Sequence, residues 1–402
     1  MGQISTVDSF SRYMAGMFDI KDFIYANTGF QAFFGNPAAG AETVFSPNSD
    51  LVDIDVMQGN KRIAALIPRD SITEFLGPKQ RNTTGEVYET QTRRYPLAKE
   101  ESSITGSEIA RRVAGENPYD QKTRMQRLRM KAARLHGENM RRLVDLHEVL
   151  AAQSVLEGKQ DAILNTTNTD LQYDFRRSAG NTITVTNQWT AANADILGDL
   201  DDACLRAERF GRMTPDFLGL HGAAMEAFVN DANTAAVADN RRFQWIMVSN
   251  DNPVPDRFMR FVNNGWTPRG RIVTPRGYEL WVFTYNKGYY DDDAGAKVEI
   301  LPVGTGLVTN CEVRADRYFG PPVTLPQIPM RDQFYREMLG MDPAAMGEIR
   351  VEEPGMVVDP RMFYTDAYAN SQWTNVKIRT WSAPIFATTH TDAFVVLKNL
   401  TA

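Results

Sequence analysis

Between Gln121 and Glu157 the apolar residues Met125, Leu128, Ala132, Leu135, Leu143, Leu146 and Leu150 recur at helical spacing, the signature of one helix with a single buried stripe. Pro118 stands near the start and Gly158 just past the end, where helix boundaries favour these residues. A helix over 121–157 would be roughly 55 Å long at 1.5 Å per residue, longer than an ordinary globular helix. A single stripe without heptad charge pairs predicts a helix laid along a sheet, not a coiled coil. A chain built on such a rod must be organised around it.

The same segment is basic. Eight Lys/Arg fall between Gln121 and Arg142 against one acid, Glu138, in a chain of net charge −6. Arg124, Arg127, Lys131 and Arg134 each precede a stripe residue by one position, which places them about 100° around the helix from the buried face. Arg141 and Arg142 extend the charge. Such a row suits subunit contacts or non-specific attraction to phosphates. No aromatic residue interleaves with it and no groove-reading module surrounds it.

Around this helix the pattern is mixed. Residues 1–48 show no sustained period and end in the turn formers of "GNPAAGAETVFSPNSD", which predicts an extended arm with one short helix. "LVDIDVM" alternates Val52, Ile54 and Val56 with Asp53 and Asp55, a strand with one wet face, and "EVYETQTRRYPLAKEESSIT" follows as a second strand-like run. Together they predict a two-stranded excursion over about 50–105. It has too little core of its own and is expected to lie on a neighbouring subunit. Further on, "NADILGDLDDACLRAERFG" reads as a helix with Asn193 as N-cap and Gly211 as stop. "DFLGL", "YELWVFTY" and "AKVEILP" read as strands, and "AAMEAFVNDA" as a helix. In "NVKIRTW" Val376 and Ile378 point inward, Lys377 and Arg379 outward.

Catalytic and metal motifs come up as near misses. His147 and Glu148 open an HExxH-like string, but Ala151 stands where the second ligand would be. His136 and His147 are eleven residues apart, about 16 Å along a helix, too far to share an ion. His221 and His390 are expected in structural roles. "DDDAG" lacks the alternating ligands of a calcium loop. Cys204 and Cys311 are too few and too far apart for a disulfide framework and read as buried thiols of a reducing compartment. No export leader or apolar span is evident. Neither cofactor nor metal is expected, and no enzymatic activity.

Particular strings, in order, carry a resemblance. "NPYDQKTRMQRLRMKAARL" followed by "AAQSVLEGKQ", then "DNRRFQ", "RGYELWVFTYNKGYYDDDAGAKVEILPVGTG" and "TWSAPIFATTHTDAFVVLKNL", resemble landmarks of the lambda-like major head proteins, the capsid E family. The order of arm, hairpin, very long helix, mixed insertion and returning strands resembles the tailed-phage capsid fold of the Hong Kong 97 type.

The resemblance implies an α+β fold in five parts: an N-terminal arm over 1–48, an E-loop over 49–108, a peripheral domain with spine helix over 109–191, an axial domain over 192–345, and C-terminal peripheral strands over 346–402. It implies a major capsid protein whose hexamers and pentamers close into an icosahedral head around double-stranded DNA. The virion capsid is then its location, and the host cytoplasm its place of synthesis. A separate scaffolding protein, a portal and a decoration protein are the implied partners, with no membrane. Arg124, Arg127, Lys131, Arg134, Arg141 and Arg142 would face neighbouring subunits, scaffold or genome. Two other readings stay open: a nucleic-acid-binding protein using the helix at 121–142, and an enzyme of unidentified chemistry.

Overall fold

The computed structural model describes residues 28–46, 51–58, 87–110, 123–161, 172–231, 243–244, 254–291, 295–320, 362–369 and 375–401. Residues 321–361 lie outside this set.

The spine helix runs from Arg124 to Glu157, 34 residues and about 51 Å. It starts three residues later than the sequence pattern suggests because Thr123 and Gln126 form a capping box, each side chain meeting the other's backbone N–H. It stops at Gly158, in the left-handed region at φ 69°. A Cβ there would also come within 2.7 Å of the Arg177 side chain. That arginine donates to Val155 O at 2.9 Å and Leu156 O at 2.6 Å, satisfying carbonyls the helix end leaves open.

The main sheet has seven strands in the order Thr182–Thr184, Val395–Lys398, Gly306–Thr309, Phe217–Leu220, Glu279–Thr284, Thr267–Val273 and Phe243–Gln244. Its outer pair Thr182–Thr184 and Val395–Lys398 is parallel, as is Phe217–Leu220 with Glu279–Thr284; the other neighbours are antiparallel. Period-two alternation divides its side chains. Leu218, Leu220, Val282, Val308, Val395 and Leu397 pack beneath the helices Ile196–Gly211 and Gly222–Asn230. Phe217, Trp281, Phe283, Leu307 and Val396 face the opposite way, toward the C-terminal half of the spine helix and the helix Asp256–Asn263. Gly219 lies on that second face, where a Cβ would sit 2.6 Å from the Trp266 ring. The helix Ile196–Gly211 is capped by Asp195, not Asn193, because the Asp195 carboxylate reaches Gly198 N.

A three-stranded antiparallel sheet joins Tyr364–Ala369, Asn375–Ser382 and Ala98–Thr105. It lies on the N-terminal half of the spine helix, with Ile104, Ile378 and Ala132 buried between them. Ile378 is buried and Lys377 points out to Glu101, as the alternation predicts. A smaller sheet joins Thr43–Phe45, Asp316–Phe319 and Pro384–Ala387.

Two expectations need correction. Residues 28–46 are not an extended arm. Phe30, Phe33 and Phe34 are buried in the central core, and Thr43–Phe45 pairs in parallel with Arg317–Phe319. A charge-free stretch carrying three phenylalanines is worth more inside than in water.

The excursion is also shorter and better covered than expected. Leu51–Gln58 and Val87–Arg94 pair in register as an antiparallel stem. Its inward residues Val52, Ile54 and Val56 are buried against Tyr95, Tyr173, Phe175, Tyr318 and Ile385 of the same chain. The stem therefore lies on its own body, and Ala98–Thr105 leaves it for the sheet on the spine helix. Residues 59–86, between the stem strands, lie outside the described residues.

Candidate assembly surfaces

The spine helix presents two different sides along its length. In its N-terminal half Leu128, Ala132, Ala133 and Leu135 pack toward the three-stranded sheet, and the basic residues line the flank. Lys131 Nζ lies 2.6 Å from Glu108 Oε2, and Arg142 lies 3.2 Å from Glu100 Oε2. Lys131 holds the Glu108 carboxyl below its usual range. Arg134 pairs with Glu138 one turn on, at 3.0 Å. Three of the six predicted residues thus meet carboxylates of their own chain. Two of those pairs tie the helix to the strand Ala98–Thr105 and the short helix Gly106–Ala110 that follows it. All three pairs are partly exposed and screened by solvent, so each adds little to stability.

Arg124 and Arg141 are exposed and make no hydrogen bond or ion pair with the described residues. Arg127 is half-buried. The residues at 124, 127, 131, 134, 138, 141 and 145 follow a spacing of three and four, so they form one charged ridge along the helix. Met130 lies exposed beside it. The sequence missed the acids that face this ridge, Glu100 and Glu108, because only the fold brings residues 98–110 beside the helix.

In its C-terminal half the helix turns inward. His147 is fully buried; its ring stacks on Phe363 at 5.1 Å and lies 3.0 Å from Ser382 Oγ. Ser382 donates its own proton to Met362 O, so His147 Nε2 carries a hydrogen and the imidazole is neutral. Burial, reinforced by the nearby Arg317, pushes its pKa down to about 3. Glu148 is buried too, against the N-terminal segment Phe30–Gln31 and Tyr285. His136 is buried beside Thr380, and His221 caps the helix Gly222–Asn230 through Nδ1, with Glu299 2.6 Å from its Nε2. The histidines of the near-miss motifs serve the fold. Both cysteines are buried and reduced; burial pushes the Cys204 thiol up to about 12. Among the described residues no three His, Cys, Asp or Glu are grouped to hold a metal ion, and no helix is long and apolar enough to cross a membrane.

Among the described residues a long helix lies along a strand trio, with a seven-stranded sheet on its C-terminal half and a two-stranded stem packed on the same body. Residues 46–326 match the family model described as phage major capsid protein E. The chain belongs to the phage major capsid protein E family.

One solved structure shares the fold. A protein assigned as a prophage capsid protein of E. coli CFT073 superposes with a TM-score of 0.61 at 15% identity, over 98% of each chain. Looser likenesses include a phage-related protein of Bordetella bronchiseptica RB50 (TM-score 0.44, 10% identity, 98% of this chain and 97% of that one). Another is the mature capsid of bacteriophage PhiM1 (TM-score 0.43, 8% identity, 89% and 84%). No curated protein matches the sequence. The architecture is the α+β capsid fold of the Hong Kong 97 type. As a member of the capsid E family the chain is a structural, shell-forming major capsid protein and not an enzyme. Its place is the virion capsid, where copies associate into a shell. Neither the family match nor the fold favours the alternative of a nucleic-acid-binding protein acting through residues 121–142.

Proposed function

We propose that copies of this capsid protein assemble as hexamers and pentamers into an icosahedral head that encloses double-stranded phage DNA. In this reading the stem and residues 59–86 form the E-loop within 49–108. The spine helix, within 109–191, and the strands of 346–402 build the peripheral domain. The segment 192–345 supplies the axial domain near the capsomer centre. Residues 1–48 are the N-terminal segment, of which Phe30, Phe33 and Phe34 pack into the core. The protein is made in the host cytoplasm and works with a separate scaffolding protein and a portal. A decoration protein is a further partner of the finished shell.

The observation that carries the reading is the family match across residues 46–326. For the basic residues we assign two duties. Lys131 and Arg142, paired at 2.6 Å and 3.2 Å to Glu108 and Glu100, hold the peripheral parts together. Arg124 and Arg141, with Arg127 and Arg134 between them on the ridge, meet a polyanion: the acidic face of scaffold during assembly or DNA phosphate afterwards. Sequence-blind attraction of that kind is salt-sensitive and needs no base-reading groups.

The test is the double variant Arg124→Glu/Arg141→Glu, made with and without scaffold and viewed by negative-stain microscopy. Closed shells from the wild type, and fewer shells or poorer DNA retention from the variant, are the expected results. Normal yields of particles with full genomes would reject the role of the ridge. Failure of the wild type to form hexamers or shells under any of these conditions would reject the larger proposal.

A further inference from the structure

Glu148 sits where three separate stretches of chain meet, and it is fully buried. Its Oε1 accepts hydrogen bonds from Phe30 N at 2.6 Å and from the Tyr285 hydroxyl at 2.8 Å; its Oε2 accepts from Gln31 N at 3.1 Å. The Gln31 side-chain amide donates onward to Val144 O, one turn back on the spine helix, at 3.2 Å. Phe30 and Gln31 begin the plug, residues 28–34. Its Phe30 ring packs edge-on against Trp266 and Tyr285, and its Phe33 ring against Phe217 and Phe394. Tyr285 closes the strand Glu279–Thr284 of the main sheet. One carboxyl thus joins plug, sheet and spine helix.

The groups around it are dipoles, not counter-charges. Tyr285 and the two plug amides face it directly. The Tyr285 phenol is pushed up by burial and by Glu148 itself. Asp145, on the preceding turn, is an acid whose own pKa burial raises, and Arg141 beside it opposes that rise. His147 is the neighbouring residue, but its ring lies among Phe319, Phe363 and Phe386 and bonds Ser382. Among the described residues no Lys or Arg forms an ion pair with Glu148. An ionised carboxylate here has three donors and no cation, in an aromatic setting that penalises charge.

We propose that Glu148 is a proton-operated latch on the N-terminal plug: the plug seats most firmly over the neutral carboxyl and loosens when the carboxyl ionises, so protonation sets how firmly residues 28–34 are held. Desolvation outweighs the three donors and lifts the Glu148 pKa to about 7 from an ordinary 4.5. With the plug withdrawn the carboxyl meets water and returns toward the ordinary value. A pKa raised in the seated state means the latch is fully engaged below about 4.5 and is lost as pH rises through about 7.

Amide hydrogen exchange of the full-length protein tests this, read at Phe30–Phe34 and corrected for the intrinsic pH dependence of exchange. Between pH 5 and 8 the opening constant of this segment should rise by about 70-fold for those two pKa values. In Glu148→Gln, a neutral mimic, the rise should vanish. Tyr285→Phe removes one donor from the seated carboxyl but leaves the exposed one unchanged, so its rise should begin at the same pH and end at a higher one, moving the midpoint up. A wild-type opening constant that stays flat, or the same rise in Glu148→Gln, overturns the latch. Should Glu148→Gln fail to fold, the Tyr285→Phe midpoint decides, and one that stays put or moves down overturns it. The readout is local to the plug, so it stands or falls independently of whether hexamers or shells are seen.

Discussion

Replacing Phe33 by Ala asks directly whether residues 28–46 are an arm or part of the core. The Phe33 ring is fully buried. It lies 4.7 Å from the Phe261 ring, 5.4 Å from Phe217 and 5.8 Å from Phe394. These neighbours come from a helix, a sheet strand and the C-terminal segment, so none can follow the lost ring inward without leaving its own packing. Truncating a phenylalanine in such a site costs about 3–5 kcal/mol. The control is Phe210→Ala, at a ring 46% exposed on the helix Ile196–Gly211, where about 0.5 kcal/mol is the ordinary scale. In urea unfolding of dispersed subunits, at a slope of about 3 kcal/mol per molar, Phe33→Ala should lower the midpoint by about 1–1.7 M with the slope unchanged. Phe210→Ala should barely move it. Equal small shifts in both variants would refute the plug and restore the extended arm.

The remaining predictions concern the two ends of the inward half of the spine helix. Arg177→Ala removes the fork that holds Val155 O and Leu156 O and should cost about 2–3 kcal/mol in the same assay, since bonds from a charged donor are lost from half-buried carbonyls. Arg177→Lys should recover less than half of that, having one ammonium in place of a planar fork; full recovery would show that charge alone suffices. His147, its pKa depressed to about 3 from 6.5, contributes stability that is present above about 6.5 and lost as pH falls toward 3. Relative to wild type, His147→Phe should therefore gain about 2 kcal/mol on going from pH 7 to pH 5. Parallel pH profiles of the two proteins would show that the imidazole does not titrate between folded and unfolded states.

The sequence made the rod legible because one stripe of Leu, Met and Ala repeated for about seven turns, and Gly158 marked its end in advance. Its start was written too: Thr123 and Gln126 have capping-box spacing, a signal outweighed by Pro118 upstream. The strands at 51–58, 217–220, 279–284 and 375–382 showed through alternation or dense apolar runs. Gly306–Thr309 and Asp316–Phe319, four residues each, are too short to carry a period. The plug escaped for a related reason. Phe30, Phe33 and Phe34 sit on a single 3-10 turn, so their only sequence signal was the absence of charge between Asp22 and Glu42. Glu148 was visible only as half of a failed metal motif; nothing local says that a backbone 117 residues away will cap itself on that carboxyl.

Adjacent in sequence and about 100° apart around the spine helix, His147 and Glu148 are buried among different partners, and burial drives their proton affinities in opposite directions. Burial disfavours the charged form of each, which lowers the histidine and raises the acid. Their effects on stability therefore oppose one another across the range they share. As pH falls from 7 to 5, His147 loses about 2 kcal/mol because the unfolded imidazole takes up a proton that the folded one refuses. Over the same interval Glu148 gains about 2 kcal/mol, because the buried carboxyl is relieved of its charge before the unfolded one is. Between about 5 and 6.5 the two slopes nearly cancel, so this pair together adds little pH dependence in that interval while each member alone adds much. The histidine side, stacked on Phe363 and bonded to Ser382, tightens toward neutral pH. The carboxyl side, holding the plug, tightens toward acid. A global unfolding curve would average the two away, whereas exchange at Phe30–Phe34 sees only the second.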